Sequence, residues 1–186
     1  AWRINVGRCP LYLIDANLPG NPAHYRDLTL RVYGGDSTTR IQQEILLGIG
    51  GVRLLRAIGQ TPTVFHMNEG HAGFLGVERI RELIEAGLDF DTALAVVRSS
   101  TVFTTHTPVP AGHDRFEPAH VEAVLGPTCS AAGLAPVDWH SPALTDTVQG
   151  QRFCMSTLAI QGSRAVNGVS KLHAEVSQEM FDHLGI

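Results

Sequence analysis

The order of apolar and polar residues predicts strands and helices that alternate along the chain. From about 38 to 58, apolar residues recur at spacings of three and four, which predicts a long helix with one apolar stripe. Short apolar runs bounded by Gly, Pro, Asn or Asp are typical of buried strands. Such runs lie at 9–15, 63–67, 101–105 and 166–169. Shorter helices are expected at about 71–86, 89–98, 118–125, 155–165 and 170–183.

Two segments give weaker patterns within this order. Residues 26–32 are a weak helix candidate that Tyr33 and Gly34 interrupt, and residues 126–151, rich in Pro, Ser, Thr, Ala and Gly, are predicted to be a variable loop region. Elsewhere the strands are apolar throughout, which is typical of a parallel sheet covered by helices on both faces. We therefore expect an α/β fold with a Rossmann-like parallel sheet, in one domain over 1–186.

Composition and charge narrow the possible classes of protein. The chain has 186 residues, 44% of them hydrophobic and 17% charged, which suits one globular domain with its own core. No apolar run approaches the roughly 18 residues needed to cross a membrane. A net charge of −4 without a basic run argues against nucleic acid as a partner. Three widely spaced cysteines fit a reducing cytoplasm better than a disulfide framework or a zinc site.

The two ends of the sequence suggest a piece of a longer polypeptide. The chain begins with Ala1 rather than Met and enters a strand-like segment at once. It ends at Ile186, just beyond a predicted helix. We therefore expect a fragment.

Polar side chains follow two of the predicted strands at the points where the strands end. His106 and Thr107 come directly after 101–105, while Asn68, Glu69 and His71 follow 63–67. Because the carboxyl ends of parallel strands meet at one edge of a sheet, where ligands bind in α/β folds, we expect the two clusters to lie together. They could hydrogen-bond a polyhydroxylated ligand. Equally, Asn68 could cap a helix and Glu69 favour its dipole without any ligand, and His106 could be a satisfied core residue.

Other motifs carry less chemistry. Asp36 is either a gate near this edge or the N-cap of the long helix. The run Gly48-Ile-Gly-Gly51 lacks the spacing of a dinucleotide site and is expected to allow close helix packing. His66 and His71 are five residues apart, which does not suit a metal site on one helix face. The only lysine, Lys171, follows Ser170 at a predicted helix start, where both could meet an anion or serve as cap and solvated charge.

Taken in order, five segments resemble the α-glucan (glycogen/maltodextrin) phosphorylase family, in its shorter bacterial and archaeal branch. The segments are Tyr33-Gly-Gly-Asp-Ser-Thr-Thr-Arg-Ile-Gln-Gln-Glu44, Gly48-Ile-Gly-Gly-Val-Arg53, His66-Met-Asn-Glu-Gly-His71, Thr104-Thr-His-Thr-Pro-Val-Pro-Ala-Gly-His-Asp-Arg-Phe116 and Asn167-Gly-Val-Ser-Lys-Leu-His173. The resemblance implies part of the N-terminal lobe of a GT-B fold. The C-terminal lobe, which in the family binds pyridoxal phosphate and the substrate phosphate, is absent from the sequence.

The resemblance also implies a reaction and a set of site residues. Family members use inorganic phosphate to cleave the terminal bond of an α-1,4-glucan, which releases α-glucose 1-phosphate with retention. By matching motif positions, His106 contacts the glucosyl unit as the catalytic histidine, Thr107 lines the same place and Asp36 belongs to a mobile gate. Asn68, Glu69 and His71 lie beside the sugar. The isolated chain is expected to be inactive. The alternatives are a non-catalytic glucan-binding module and a nucleotide-sugar glycosyltransferase of the same fold.

Overall fold

The computed structural model describes residues 1–32 and 35–184 of the chain. Tyr33 and Gly34, which were expected to interrupt the segment 26–32, lie outside the described residues. The strands are β1 (Trp2–Val6), β2 (Cys9–Leu13), β3 (Phe65–Asn68), β4 (Thr101–Thr105), β5 (Arg115–Phe116), β6 (Leu144–Thr147), β7 (Gly150–Cys154) and β8 (Ala165–Gly168). The helices are α1 (Ala23–Arg26), α2 (Ser37–Ala57), α3 (Phe74–Glu85), α4 (Phe90–Ser99), α5 (Pro118–Ala131), α6 (Pro136–Trp139), α7 (Met155–Gln161) and α8 (Lys171–Phe181).

Three of the four predicted strands form a parallel sheet. The strand predicted at 9–15 does not join it, because β2 pairs antiparallel with β1 in a separate two-stranded sheet. The order of the three parallel strands is β3-β4-β8, and both pairs are parallel. Asn68 lies opposite Thr104, and Thr105 lies opposite Gly168, so the three carboxyl ends meet at one edge. The α/β fold class is confirmed.

Helix cover over this sheet is uneven. Met67 and Phe103 point into a fully buried cluster with residues of α7 and α8. The alternate residues of β3, His66 and Asn68, are exposed instead. The outer strand β3 is therefore open on one face, because its run alternates apolar and polar side chains and only the apolar ones are buried.

The long helix α2 forms as predicted and packs against α3. Asp36 is its N-cap, and the Asp36 carboxylate accepts a hydrogen bond of 2.9 Å from the Thr39 amide. Gly48 allows the close packing expected of it, because a Cβ there would lie 2.7 Å from the Leu75 nitrogen. The main core joins this helix pair to α4, α5, α7 and strand β7. Its buried residues include Ile41, Phe74, Val97, Val121, Phe153 and Met155.

The segment 126–151 is more regular than the sequence predicts. Helix α5 continues through Pro127 to Ala131, α6 follows, and the hairpin β6–β7 pairs with β5 in the order β5-β7-β6. Leu134, Trp139 and Ala143 are buried in the core and so anchor this segment. The sequence pattern does not reveal these three apolar residues, because they are spaced irregularly among small and turn-forming residues.

Smaller corrections concern helix lengths. Residues 26–32 form only the end of α1 and a turn of 3₁₀ helix at Asp27–Thr29. Helix α7 ends at Gln161 rather than near 165. Among residues 1–32 and 35–184, no helix is long and apolar enough to cross a membrane. All three cysteines carry free thiols, with Cys9 exposed and the other two buried.

Candidate functional site

The carboxylate of Glu69 joins the two polar clusters at the sheet edge. Its Oε2 atom accepts hydrogen bonds from the His106 amide at 2.8 Å and from the Thr107 hydroxyl at 2.9 Å. Its Oε1 atom accepts a third bond from the Gly70 amide at 3.1 Å. Burial alone would raise the pKa of Glu69, but these three bonds outweigh it and hold the pKa below its usual value. The clusters that end β3 and β4 are therefore held together by one ionised side chain.

Glu69 also has a strained backbone. Its φ of 78° lies in the region that favours glycine, and no other non-glycine residue among 1–32 and 35–184 has a positive φ. Strain of this kind costs about 1–3 kcal/mol and persists only where the surroundings enforce it. The next position requires glycine, because a Cβ on Gly70 would lie 2.5 Å from the Ser156 hydroxyl oxygen. Such strain occurs often at binding and catalytic sites.

A polar cavity of about 300 Å³ opens beside Glu69. Two histidines line it, and burial lowers the pKa of both His71 and His113, so both are neutral at pH 7. His113 is fixed through both ring nitrogens, with Ser156 Oγ 2.7 Å from Nδ1 and Met180 Sδ 3.2 Å from Nε2. The lining residues are Arg40, Glu69, Gly70, His71, Thr107, Gly112, His113, Asp114 and Ser156.

One guanidinium joins the wall of this cavity to α2. Arg40 Nη2 lies 2.6 Å from Asp114 Oδ2 and 3.2 Å from Glu44 Oε1. Glu44 is 1% exposed. Burial, and then the neighbouring charge of Asp114, raises the pKa of Glu44 to about 10. The far end of the loop that begins at His106 is thus attached to the long helix.

A line of hydrogen bonds crosses the three parallel strands at the same edge. Thr104 donates its hydroxyl hydrogen to Asn167 Oδ1 at 2.9 Å. His66 Nε2 lies 2.7 Å from the same hydroxyl oxygen, so it must be the donor of that bond. The exposed polar edge therefore extends from β3 to β8.

The structure gathers some of the predicted site residues more closely than others. Glu69, His71 and Thr107 line the cavity, whereas His106 is exposed and is not among the lining residues. The backbone amide of His106, rather than its imidazole, is bound to Glu69. Asn68 is exposed on β3 and does not cap the 3₁₀ turn that follows, because Glu69 takes that role. That interpretation of Asn68 was wrong. Asp36 is exposed and caps α2, so the N-cap interpretation is confirmed.

Five residues of the site were not singled out by the sequence. They are Arg40, Glu44, His113, Asp114 and Ser156. One signal was present: Glu44 falls on the stripe of α2 that also buries Ile41 and Gly48. A charged residue on a buried helix face indicates a specific partner. The link from α2 to Asp114 is a contact between distant segments, and no local pattern reveals it.

The residues that the structure describes do not suit the binding of a metal ion or of pyridoxal phosphate. Among residues 1–32 and 35–184, no group of three or more His, Cys, Asp or Glu side chains could hold a metal ion. Pyridoxal phosphate is bound through a lysine. The only lysine, Lys171, is exposed on the first turn of α8 and does not line the cavity. The residues of this chain therefore do not fit that cofactor.

Comparison with known proteins gives one consistent result. No protein-family model matches the chain. The chain is 52% identical over 98% of its length to a glycogen phosphorylase of Mycobacterium tuberculosis. It is 47% identical over 99% to a maltodextrin phosphorylase of Thermococcus litoralis, and 31% identical over 98% to a glycogen phosphorylase of Aquifex aeolicus. It spans 22%, 21% and 26% of these proteins, respectively. The chain therefore belongs to the glycogen and maltodextrin phosphorylase family, of whose members it represents one segment.

Proposed function

We propose that the chain forms the sugar-facing wall of an α-1,4-glucan phosphorylase. In this reaction inorganic phosphate cleaves a terminal α-1,4-glucosyl unit from glycogen or maltodextrin and releases α-D-glucose 1-phosphate with retention. The names of the relatives support the family of reactions. The composition of the cavity supports a sugar ligand, because neutral imidazoles, hydroxyls and carboxylates are suited to hydrogen-bonding hydroxyl groups.

The fixed position of His106 is the observation that carries this proposal. Its backbone amide is bound to the Glu69 carboxylate at 2.8 Å, while its imidazole is exposed. A donor held in place before the ligand arrives loses little entropy on binding and stabilises charge that develops in the transition state. His106 thus acts as the catalytic histidine that contacts the glucosyl unit, and Glu69 positions it.

The remaining candidate residues surround that contact. Thr107 and His71 line the cavity and bind sugar hydroxyls, while Asn68 offers an exposed amide at the end of β3. Asp36 is the N-cap of α2, and we propose from the family resemblance that it also belongs to a loop that gates the site. We assign Glu69 a supporting role, because its carboxylate accepts four hydrogen bonds and all of them come from the protein.

The cofactor and the substrate phosphate belong to a part of the protein outside this chain. Pyridoxal phosphate supplies proton transfer at the attacking phosphate in this family, and Lys171 is not placed to bind it. We place the chain in the N-terminal lobe of a GT-B fold, with the cofactor in the other lobe. A cytoplasmic location is in keeping with three free thiols.

An assay of the complete protein tests the proposal. It measures phosphate-dependent release of glucose 1-phosphate from maltodextrin, with and without added pyridoxal phosphate. Release that requires both phosphate and the cofactor supports the proposal. Binding of maltodextrin without any release, in protein shown to be loaded with cofactor, contradicts it and favours a glucan-binding module.

A further inference from the structure

Glu44 is a buried glutamate with too few hydrogen-bond donors around it. It is 1% exposed, and its Oε1 atom lies 3.2 Å from Arg40 Nη2. Its buried Oε2 atom accepts no hydrogen bond from residues 1–32 and 35–184. An ionised carboxylate has about four acceptor positions and is strongly destabilised when water is removed without replacing its bonds. The surroundings of Glu44 therefore suit a neutral acid better than an anion.

The charges around Glu44 lead to the same conclusion. Arg40 makes its shorter contact, 2.6 Å, with Asp114, so one guanidinium nitrogen faces two carboxyl groups. Glu69 places a further carboxylate on the same cavity. The other titratable or charged groups near Glu44 are His71, Arg31 and Cys154. Burial lowers the pKa of His71, so it is neutral at pH 7, and Arg31 is exposed. If Glu44 and Asp114 were both ionised, this cluster would hold uncompensated negative charge.

We propose that Glu44 is a neutral carboxylic acid that donates its proton to the carboxylate of Asp114. Arg40, Glu44 and Asp114 then form a cluster without net charge. This cluster anchors the far end of the loop 106–114 to α2, while Glu69 holds the near end at His106. Glu44 is thus a positioning residue for the loop that carries both His106 and His113. The inference depends on burial and charge and is independent of the phosphorylase reaction.

The pKa of Glu44 agrees with this arrangement. Burial raises it most, followed by the charge of Asp114 and the hydrogen bond to it, so that the pKa is about 10. Arg40 opposes the shift without reversing it. The acid therefore keeps its proton through neutral pH. Ionisation at alkaline pH gives the cluster a net negative charge and weakens its hold on Asp114.

The test is the titration of the Glu44 carboxyl carbon by ¹³C NMR in protein labelled at the glutamate side-chain carboxyl. Difference spectra between the wild type and Glu44→Gln identify its resonance. Glu78→Gln identifies a matched control that is also 1% exposed but has a lowered pKa. We expect the Glu44 resonance to keep its protonated position at pH 7 and to move only as the pH approaches about 10. The Glu78 resonance should already be ionised at pH 7.

Titration of Glu44 near the ordinary value of 4.5, in step with exposed glutamates, would overturn the proposal. An infrared measurement on the unmodified protein covers the case in which Glu44→Gln does not fold. A carbonyl band of a protonated carboxylic acid must persist at neutral pH and disappear at alkaline pH, and its absence at pH 7 also overturns the proposal. If Glu44→Gln folds, its melting temperature at pH 7 should be at least that of the wild type, because glutamine preserves a neutral donor and does not ionise in the unfolded chain. The decline of stability that the wild type shows as the pH rises from about 4.5 toward 10 should be absent in this variant. Glu44→Ala should lower the melting temperature at pH 7.

Discussion

Two clusters of charged residues each contain a glutamate that is only 1% exposed. The pKa of one, Glu44, is raised, and the pKa of the other, Glu78, is lowered. The interface cluster, Arg53, Glu78 and Arg81, lies between α2 and α3. Arg53 donates to both oxygens of Glu78 at 2.7 and 3.1 Å, and Arg81 does so at 2.9 Å for each. Burial alone would raise the pKa of Glu78, but these bonds lower it. Two cations therefore keep a buried carboxylate ionised.

The site cluster, Arg40, Glu44, Glu69 and Asp114, has three carboxyl groups and one guanidinium. Within this cluster, the Oε2 atom of Glu44 accepts no hydrogen bond, and the backbone of Glu69 is strained. Glu44 and Glu78 are each 1% exposed. Glu44 is surrounded more densely by protein and has fewer donors, and both differences favour its neutral form. Glu69, the one non-glycine residue among 1–32 and 35–184 with a positive φ, lies directly beside His106. Backbone strain of this kind is expected where a site is shaped for a ligand rather than for stability.

The largest expected effect belongs to the site. His106→Ala in the complete protein should lower kcat/KM for phosphorolysis. The corresponding rise in activation free energy should be about 2–4 kcal/mol, because a preorganised hydrogen-bond donor is lost. The melting temperature should stay unchanged, since the imidazole is exposed. Steady-state kinetics and thermal unfolding measure the two quantities. His24→Ala, at another exposed histidine, is the control and should change neither. Unaltered kinetics in His106→Ala would show that this histidine does not contact the reacting sugar.

The interface cluster should respond in the opposite way. Glu78→Ala should lower the free energy of unfolding by about 3 kcal/mol, because it removes the buried carboxylate that binds both arginines and leaves the largely buried Arg81 only the exposed Glu85 as a partner. Water can hydrate the exposed Arg53 once its partner is gone, so the loss should lie at the low end of the roughly 3–5 kcal/mol that breaking a buried ion pair costs. Denaturant unfolding measures the loss, and Glu175→Ala on the exposed surface of α8 is the control. A larger effect on kcat/KM of the folded protein than on stability would break the contrast between the clusters.

The dependence of stability on pH should separate the two glutamates. The pKa of Glu44 is raised in the folded protein, so its contribution to stability is full below about 4.5 and is lost as the pH rises toward about 10. The slope of that loss is at most about 1.4 kcal/mol per pH unit. The pKa of Glu78 is lowered, so its contribution is present above 4.5 and is lost as the pH falls through the folded value.

Unfolding curves at a series of pH values measure both effects. His71 and His113, whose pKa values are lowered by burial, add a separate loss of stability below about 6.5. The range between about pH 6.5 and 9 therefore reports on Glu44 with little interference from histidine. Above about pH 9, Cys129 adds a loss of its own, because burial raises the pKa of its thiol to about 11. Glu44→Gln should remove the slope between about pH 6.5 and 9, and Glu78→Gln should leave it. A slope in this range that survives in Glu44→Gln belongs to another group and contradicts the assignment.

The smallest expected effects test how tightly the helix interface is packed. Gly48→Ala should destabilise by about 1–3 kcal/mol, because its Cβ would lie 2.7 Å from the backbone nitrogen of Leu75. Gly51→Ala, on the same helix with no atom within 4 Å of its Cβ, should stabilise by about 0.5–1 kcal/mol. Equal effects in the two variants would mean that close packing at Gly48 is not what requires glycine.

The sequence predicted the elements that depend on local patterns. The stripe of α2, the candidate caps Asp36 and Ser170, and the strands β3 and β4 all follow from spacing and residue type. It also predicted that the polar clusters after β3 and β4 would meet, because parallel strands share an edge. It could not show that Glu69 binds the backbone of His106, since that bond depends on strand register and on a backbone strain that no pattern records.

The regular structure of segment 126–151 and the link from Arg40 to Glu44 and Asp114 were missed for a related reason. Leu134, Trp139 and Ala143 are buried through contacts with distant parts of the chain, and their spacing fits neither a helix nor a strand period. Arg40 and Asp114 are 74 residues apart in sequence. Such contacts arise from packing between elements, which hydrophobic periodicity does not describe.

The most direct test of the account is a double-mutant cycle between Glu69 and His106 in the complete protein. The claim is that Glu69 contributes to catalysis by holding His106 in place. Glu69→Gln should lower kcat/KM by about 1–2 kcal/mol in the wild type, the usual worth of hydrogen bonds to a charged group. It should have almost no effect when His106→Ala is already present. Additive losses in the double variant would contradict the claim, because Glu69 would then act on the reaction independently of His106.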